Sequence, residues 1–424
     1  MPQLVEPGNL PPAPFNAGGG MFVNATIRQT VRITLDAPRI RLQISNIFGG
    51  TVLPITSATI ALPANGAAGV GAIQTSTLKT LTFNGGRKSI DIPVGQLAFT
   101  DPIDFPVKAE QNVAISLFLK TGQSGSNISG HPGSRTTSWL QNGDFTRAEN
   151  LTQGTTVHWY FISGIDGFVA DTAKTLIILG DSITDGRGSD NDKNNRWPDL
   201  VLNKMRESGI KDIAIGNQAA GGNCILSMCL GPPLLDRYKR DALSQQGVQY
   251  VMIFEGVNDI GGAATDPATQ QAIGDRLITA YQQITRDSRA KGFKVFAATI
   301  TALGSTYTGG SREDQRQRIN TWIRTNGTFD AVVDFDAILR NPDSPSQLQA
   351  QYDSGDGLHP NVAGYQAIAD NFPLEIFGAR TGPAVPAIPK WGQCGGLGFL
   401  GKGTCVAGTK CVVSVIGLLR WTAN

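Results

Sequence analysis

Apolar and polar residues alternate along the first part of the chain. Across residues 21–164 the apolar positions recur with a period of two, and Ile40, Leu42 and Ile44 are a clear example. Short runs of this kind are separated by Gly- and Asn-containing turns, and no long helical pattern interrupts them. Such a sequence is typical of a β-sandwich or jelly roll, so we predict a domain of that class over residues 1–170.

The pattern changes near Thr175. Continuous apolar runs such as residues 175–179 now alternate with longer amphipathic stretches such as residues 269–291. Buried strands that alternate with helices indicate a parallel sheet covered by helices on both faces. We therefore predict an α/β domain over residues 171–377.

The C-terminal part of the chain has a third composition. Residues 378–390 are rich in Pro, Ala and Gly and are interpreted as a linker. Residues 391–424 contain three of the five cysteines. That density predicts a small cross-linked module.

Composition and charge exclude several classes of partner. Lys plus Arg number 36 and Asp plus Glu number 34, and no basic block suggests nucleic acid or an anionic membrane. No apolar run approaches the roughly 20 residues that span a bilayer. No Cys/His set has zinc spacing and no Gly-rich loop precedes Lys-Ser/Thr, so we expect no metal and no other cofactor. Nothing in the sequence implies a protein partner.

The first residues lack the charged and apolar regions of a signal peptide. Either the protein is cytosolic or the sequence begins inside a longer precursor. Four N-x-S/T triplets weakly favour secretion and a glycoprotein; they begin at Asn24, Asn127, Asn150 and Asn326.

Candidate chemistry begins where the first parallel strand ends. The run 175–179 leads into Gly-Asp-Ser, which places Ser182 at the edge where open α/β sheets carry their active sites. Taken alone, this triplet is better explained as a helix cap. Three further polar segments follow later elements and should converge on the same edge; they are residues 217–223, 255–259 and 356–361.

These four segments, in this order, resemble the four blocks of the SGNH (GDSL-type) hydrolase superfamily across residues 174–377. The resemblance implies a flavodoxin-like three-layer α/β/α fold. It also implies a nucleophile at Ser182, a base at His359 and a partner for that base at Asp356. The implied oxyanion-hole donors are the Ser182 and Gly222 backbone N–H groups and the Asn258 side-chain amide.

The chemistry of these residue types agrees with those roles. A serine hydroxyl is a poor nucleophile at neutral pH and needs a base. His359 follows Asp356 by three residues, a spacing that lets the carboxylate hold one ring nitrogen while the other faces the serine. His158 is interpreted as a hydrogen-bonded strand residue. His131 is interpreted as a loop residue, with a role at the edge of the substrate cleft as the alternative.

Further segments resemble the two-domain subgroup of these hydrolases, which is similar to xylanase-associated bacterial esterases and has many secreted fungal members. The subgroup implies a β domain beside the cleft, an extracellular location and a signal peptide before Met1. The segments that carry the resemblance are residues 28–32, 41–49, 185–189 and 195–200.

Two cysteines follow Gly222 closely. Cys224 and Cys229 are five positions apart. In a secreted protein they can close a small loop beside the oxyanion hole, whereas in a cytosolic protein they would be free thiols.

The C-terminal cysteines have their own resemblance. Residues 391–411 resemble a fungal family 1 carbohydrate-binding (cellulose-binding) module. The resemblance implies Trp391 and Phe399 as glucan-stacking aromatics and Cys394 and Cys411 as disulfide candidates. The tail lacks the tandem tyrosines and the fourth cysteine of that family, whose place is held by Trp421.

The module is thus incomplete. Either it binds weakly with what is left or the reading frame departs here, and we favour the second because so small a module depends on its cross-links. A chance Cys- and Gly-rich tail is the remaining alternative.

Together these features predict a secreted serine esterase that removes ester groups, acetyl above all, from plant cell-wall polysaccharide. Its C-terminal module would target it to cellulose. The alternatives are a lipase or phospholipase of the same superfamily, and a carbohydrate-binding protein with an inactive hydrolase domain.

Overall fold

The computed structural model describes residues 3–307 and 309–378, together with the backbone of three strands within residues 393–423. The chain forms two compact units, Met1–Phe372 and Pro373–Asn424. In the described part of the chain, no helix combines the length and the apolar character that crossing a bilayer requires.

The first half of the larger unit is built from strands. These strands are β1 (Gln3–Leu4), β2 (Gly20–Met21), β3 (Ala25–Arg32), β4 (Arg39–Ser45), β5 (Leu53–Ile55), β6 (Ser57–Pro63), β7 (Ile73–Leu81), β8 (Ile90–Ile92), β9 (Leu97–Phe99), β10 (Asn112–Leu119), β11 (Gln123–Ser124), β12 (Ser129–His131), β13 (Ser138–Asn142), β14 (Gly154–Thr156), β15 (Trp159–Tyr160) and β16 (Ile162–Phe168).

Two antiparallel sheets of this half share a hydrophobic core. The larger has the order β14-β13-β3-β10-β6-β7 and the smaller the order β16-β4-β9. Ile27 and Ile115 from the larger sheet are buried in the same cluster as Leu42 and Ile44 from the smaller one. The predicted alternation therefore corresponds to real strands. The assignment of this half to the β-sandwich class stays a prediction.

The second half of the larger unit alternates strands and helices. Its strands are β17 (Lys174–Gly180), β18 (Ile213–Ala219), β19 (Val248–Phe254), β20 (Lys294–Ala298), β21 (Ala331–Val333), β22 (Arg340–Asn341) and β23 (Ser344–Leu348). Its helices are α1 (Ser182–Asp185), α2 (Trp197–Glu207), α3 (Leu234–Tyr238), α4 (Val257–Gly262), α5 (Pro267–Ala290), α6 (Arg312–Thr325), α7 (Phe335–Leu339) and α8 (Val362–Asp370).

The central sheet is parallel and has the strand order β18-β17-β19-β20-β21. This is the flavodoxin-like order, so the predicted α/β fold class is confirmed. Residues 176–179 of β17 are all buried, as expected for a central strand covered on both faces. The order reverses around β17, and the crevice at such a reversal is where open sheets bind ligands.

The two halves are joined by direct contacts. Arg32 of β3 donates from Nη1 to Asn194 O (3.0 Å) and from Nη2 to Asn203 Oδ1 (2.5 Å). Arg206 of α2 donates in turn to the carbonyl of Thr34. The β-rich half and the α/β half are thus parts of one compact unit, and the domain boundary at residues 170–171 stays a prediction.

The smaller unit contains an antiparallel sheet of three strands, in the order β24-β26-β25. These strands are β24 (Gln393–Gly396), β25 (Thr409–Val415) and β26 (Leu418–Ala423). Cys394 and Cys411 lie on β24 and β25 by their backbone. Trp391, Phe399 and most of the predicted linker lie outside the described residues.

A buried cation holds the β-rich half together. Arg28 of β3 is fully buried, and its guanidinium donates to Ser116 Oγ (2.8 Å), Gly71 O (2.7 Å) and Ala148 O (2.8 Å). Burial lowers the pKa of Arg28 to about 10. Arg28 therefore links the β6–β7 connection and the β13–β14 connection to β3 in the middle of the larger sheet.

We expect Arg28→Met to lower the free energy of unfolding by about 2–4 kcal/mol, because several buried acceptors would lose their donor. Arg41→Met is the matched control, since Arg41 pairs with Asp166 where both side chains are partly exposed. That change should cost less than about 1 kcal/mol. Urea unfolding followed by tryptophan fluorescence measures both, and equal losses would contradict the assignment.

Candidate active site

The C-terminal ends of three neighbouring strands define one edge of the parallel sheet. Gly180 at the end of β17 pairs with Ala219 at the end of β18 and with Phe254 at the end of β19. Ser182 follows β17 directly, and the other two predicted oxyanion-hole segments follow β18 and β19. The fold therefore brings these three segments to the same edge.

A buried arginine fastens this edge. Arg237 of α3 donates from Nη2 to Gly180 O (3.1 Å) and to Glu255 Oε2 (3.1 Å). It also donates from Nη1 to Gln218 O (2.7 Å) and from Nε to Asn223 Oδ1 (2.8 Å). Each of the three strand ends is thus bound to one guanidinium. Burial raises the pKa of Glu255 to about 8 although Arg237 opposes that shift.

Ser182 is the first residue of α1 and is nearly buried. Asp181 caps this helix by accepting the Ile183 N–H at 3.0 Å. N–H groups in the first turn of a helix have no acceptor within that helix, so the Ser182 N–H is available to another group. Burial raises the pKa of Asp181 to about 7.

A hydrogen-bonded path leads away from the serine hydroxyl. Ser182 Oγ lies 2.7 Å from His359 Nε2, and His359 Nδ1 lies 2.7 Å from Asp356 Oδ2. The other carboxylate oxygen accepts the N–H groups of Leu358 (3.0 Å) and His359 (2.9 Å). A carboxylate accepts hydrogen bonds, so the imidazole proton lies on Nδ1 and Nε2 faces the serine as an acceptor.

The electrostatics of the pair suit proton transfer. Burial by itself would raise the pKa of Asp356, but hydrogen bonds from His359 and Leu358 lower it to about 2. Burial lowers the pKa of His359, and the bond to Asp356 offsets this only in part. At neutral pH Asp356 is therefore ionised and His359 is neutral, the state that a general base requires.

The two other predicted donors have well-defined surroundings. Gly222 has φ +66°, a left-handed conformation that glycine adopts freely and that residues with a side chain adopt only with strain. The Asn258 amide donates from Nδ2 to Asn223 O (2.8 Å) and accepts from Tyr307 OH (3.0 Å). These bonds fix the plane of the amide. Its NH₂ group carries a second hydrogen that can bind an oxyanion.

A disulfide closes the loop that follows Gly222. It joins Cys224 and Cys229, the pair left open by the sequence. Leu230 next to it donates its N–H to Gly222 O at 3.1 Å. Met228 is 77% exposed and Leu230 is 51% exposed. An apolar rim therefore lies beside the predicted oxyanion hole.

The sequence interpretation of the two other histidines was wrong in its secondary structure. His131 is the last residue of strand β12 and is not in a loop, and Pro132 then ends the strand because it has no N–H to donate. His158 precedes β15 and is not within a strand. Its Nδ1 lies 2.6 Å from Pro132 O, so it is hydrogen-bonded as expected.

Sequence reasoning also missed residues that support the site. Arg237 and Tyr307 stand in no recognisable motif and act on partners that are distant in sequence. An aromatic residue in a polar loop is a weak signal for Tyr307. For Arg237 the sequence offered no clear cue, because an Asp-Arg pair at residues 236–237 is also typical of an exposed helix face.

Comparison with known proteins gives two family matches. Residues 178–367 match the model of the GDSL-like Lipase/Acylhydrolase family, and residues 390–414 match that of the Fungal cellulose binding domain. Endo-1,4-beta-xylanase C from Phanerodontia chrysosporium is 69% identical over 26 residues. The match spans only 6% of this chain and 6% of the xylanase.

Several solved structures were matched to about half of the chain, each at low sequence identity. A putative lipolytic protein of the G-D-S-L family from Desulfitobacterium hafniense has 17% identity and a TM-score of 0.36, covering 47% of this chain and 97% of that one. The acetyl xylan esterase AlAXEase has 21% identity and a TM-score of 0.36, covering 46% and 96%. Esterase EstA from Pseudoalteromonas sp. has 20% identity and a TM-score of 0.35, covering 47% and 93%.

We expect NMR titration of ¹³C-histidine-labelled protein to give His359 a pKa below the ordinary value of about 6.5, because burial disfavours the imidazolium. Asp356→Asn should lower that pKa further, by about 1 or more, because the hydrogen-bonded negative charge is lost. His359→Gln identifies the resonance by its disappearance. A pKa that rises in Asp356→Asn would contradict the contact.

The first family match and the fold of the α/β half agree on the kind of domain that residues 178–367 form. The matched residues 178–367 contain Ser182, Gly222, Asn258, Asp356 and His359. The same residues include the parallel sheet with its flavodoxin-like strand order, apart from the first residues of β17. The chain therefore carries a GDSL-type lipase/acylhydrolase domain of the SGNH hydrolase superfamily, a class of carboxylic ester hydrolases, followed by a C-terminal fungal cellulose-binding domain.

Proposed function

We propose that the protein is a secreted fungal serine esterase that removes ester groups, acetyl groups above all, from plant cell-wall polysaccharide. The observation that carries the proposal is the continuous path from Ser182 Oγ through His359 to Asp356, with both contacts at 2.7 Å. This path occurs on a chain that also matches a cellulose-binding domain.

In the first step His359 Nε2 takes the proton of Ser182 as Oγ attacks the ester carbonyl carbon. The ionised Asp356 stabilises the imidazolium that forms. Negative charge develops on the carbonyl oxygen, and donors fixed in advance stabilise it without reorganisation. We assign this role to the N–H groups of Ser182 and Gly222 and to the amide of Asn258.

In the second step the tetrahedral intermediate collapses. His359 gives its proton to the leaving oxygen, which is a sugar hydroxyl in a polysaccharide substrate, and the acyl group stays on Ser182. Water then attacks the acyl-enzyme while His359 again accepts a proton. The carboxylic acid leaves and the serine is restored, so no cofactor is needed.

Several observations support the polysaccharide substrate and the extracellular location. The cellulose-binding match would hold the enzyme on the plant cell wall, where acylated hemicellulose lies beside cellulose. The disulfide between Cys224 and Cys229 is of a kind that persists in oxidising compartments. The endo-1,4-beta-xylanase that shares a short similar segment acts, by its name, on xylan.

We propose that each segment of the chain has the role that the sequence suggests for it. Residues 1–170 would border the cleft, 171–377 would catalyse, 378–390 would link, and 391–424 would bind cellulose. Trp391 and Phe399 would stack on glucan rings. Cys394 and Cys411 remain disulfide candidates of that module.

The second candidate is a lipase or phospholipase. The observation in its favour is the apolar rim of Met228 and Leu230 beside Gly222, because an acyl chain longer than acetyl could pack there. The rim is small and lies on a single loop. We therefore place this function second.

The first test is acetate release from acetylated xylan, pectin and mannan. We expect release to be greatest from xylan and absent in Ser182→Ala, and we expect Asn258→Ala to lower kcat by about 10²–10³. Ser227→Ala is the matched control, because Ser227 is an exposed serine of the disulfide loop, and it should keep wild-type activity. Activity that survives in Ser182→Ala would exclude the mechanism. Cellulose pull-down without any esterase activity would favour a binding protein.

The second test is a series of 4-nitrophenyl esters from acetate to palmitate. We expect the highest kcat/KM with acetate, because a polysaccharide acetylesterase needs no long acyl site. Leu230→Ser should reduce activity on the longer esters and leave acetate nearly unchanged, since only a long chain reaches the rim. A maximum at long chains would support the lipase alternative.

A further inference from the structure

A buried carboxylate connects the nucleophile helix with the segment that contains Gly222. Asp185 is the last residue of α1, the helix that begins at Ser182, and it is almost fully buried. Its Oδ2 accepts the N–H of Gly221 at 3.1 Å. Its Oδ1 lies 2.5 Å from His131 Nε2. Both oxygens of this carboxylate are therefore engaged, one on each side.

The segment that Asp185 binds needs such an anchor. Gly221 and Gly222 are consecutive, and glycine restricts the backbone less than any other residue. The Ala220 N–H is bound to Gly180 O at 3.0 Å, and the Gly221 N–H is bound to Asp185. Two successive N–H groups are thus held by the segment that contains Ser182. The third, that of Gly222, is the one that we assign to the oxyanion.

His131 reaches this carboxylate from the β-rich half. It ends β12, which pairs with β15, and it lies opposite Trp159 in that ladder. The two rings are edge to face, with centroids 6.1 Å apart. The position of the imidazole is therefore set by strands that contain no part of the predicted triad.

The protonation states allow a strong hydrogen bond. Burial lowers the pKa of His131, so the ring is neutral at pH 7 and its Nε2–H donates. Burial alone would raise the pKa of Asp185, but His131 and Arg196 lower it, so the carboxylate is ionised. A hydrogen bond to an ionised acceptor is roughly twice as strong as one between neutral groups.

We propose that His131 is a positioning residue for the oxyanion hole, acting through Asp185 on the Gly221–Gly222 segment; this rests on the esterase function proposed above. Without a donor at position 131, one oxygen of a buried carboxylate loses its hydrogen bond and the side chain can rotate. The Gly221 N–H then loses its fixed acceptor. The Gly222 N–H is displaced from the place where the oxyanion forms.

The test compares His131→Gln with His131→Met. The two side chains have similar size and shape, but only glutamine can donate to Asp185. We expect His131→Met to lower kcat by about 10- to 100-fold per titrated active site, because small displacements of catalytic donors have effects of this order. KM should change little, and His131→Gln should recover most of kcat.

His158→Ala is the matched control. His158 binds Pro132 O in the segment that follows His131 but is not bonded to Asp185. It should keep nearly wild-type kcat. Titration of active sites with a fluorophosphonate separates a slower enzyme from a smaller folded fraction. In the double variant His131→Met with Asn258→Ala, the two losses should be less than additive, because both act on one oxyanion hole.

Each other outcome overturns the proposal. Equal kcat in the glutamine and methionine variants would show that the donor has no role. An equal loss in His158→Ala would assign the effect to the segment around Pro132. If neither position-131 variant folds, the role of His131 is stability. If the wild-type protein hydrolyses no ester, the proposed function fails and this inference fails with it. If the wild type is active and His131→Met is unaffected, only this inference is overturned.

Discussion

The site depends on one buried guanidinium. Arg237 binds Gly180 O at the end of β17, Gln218 O near the end of β18 and Glu255 just after β19. Parallel strands leave polar backbone groups at their ends, and here a single rigid donor binds two of them, the carbonyls of Gly180 and Gln218. The segments that contain Ser182, Gly222 and Asn258, the proposed nucleophile and oxyanion donors, then start from fixed points. The positions of these segments are therefore set by the buried Arg237 side chain, which does not itself need to contact a substrate.

The β-rich half has a structural reason to remain attached to the hydrolase fold. Arg32 binds Asn194 and Asn203, and His131 reaches Asp185, so the two halves are joined at more than one place, one of them on the helix that begins at Ser182. An α/β sheet of this order has its own core, yet its active-site edge is built from loops. The strands of the β-rich half contact those loops and restrict them at positions that the parallel sheet does not contact.

The sequence was sufficient to predict those helices and motifs whose physical signal is local. The amphipathic stretch predicted at residues 269–291 is observed as helix α5 (Pro267–Ala290), and Ser182 and His359 stand in short motifs. The small error in the predicted start of α5 has a local cause, because the Asp266 side chain caps the helix and Pro267 is its first residue. The supporting residues could not be found this way. Tyr307 and Asn258 are 49 positions apart and His131 and Asp185 are 54 apart, so only the fold reveals the pairs.

The disulfide beside Gly222 has a consequence for which positions of its loop can accept substitution. The bridge between Cys224 and Cys229 closes a loop whose tip, Ser227 and Met228, is exposed, while Ile225 and Leu226 are anchored through their N–H groups to Asp259. The anchored residues follow the Gly221–Gly222 segment closely, and only the tip of the loop is exposed. Substitutions at the tip therefore leave the hydrogen bonds to Asp259 in place. The loop thus combines a fixed segment next to Gly222 with an exposed tip, and exposed loop tips are where sequence change is best tolerated.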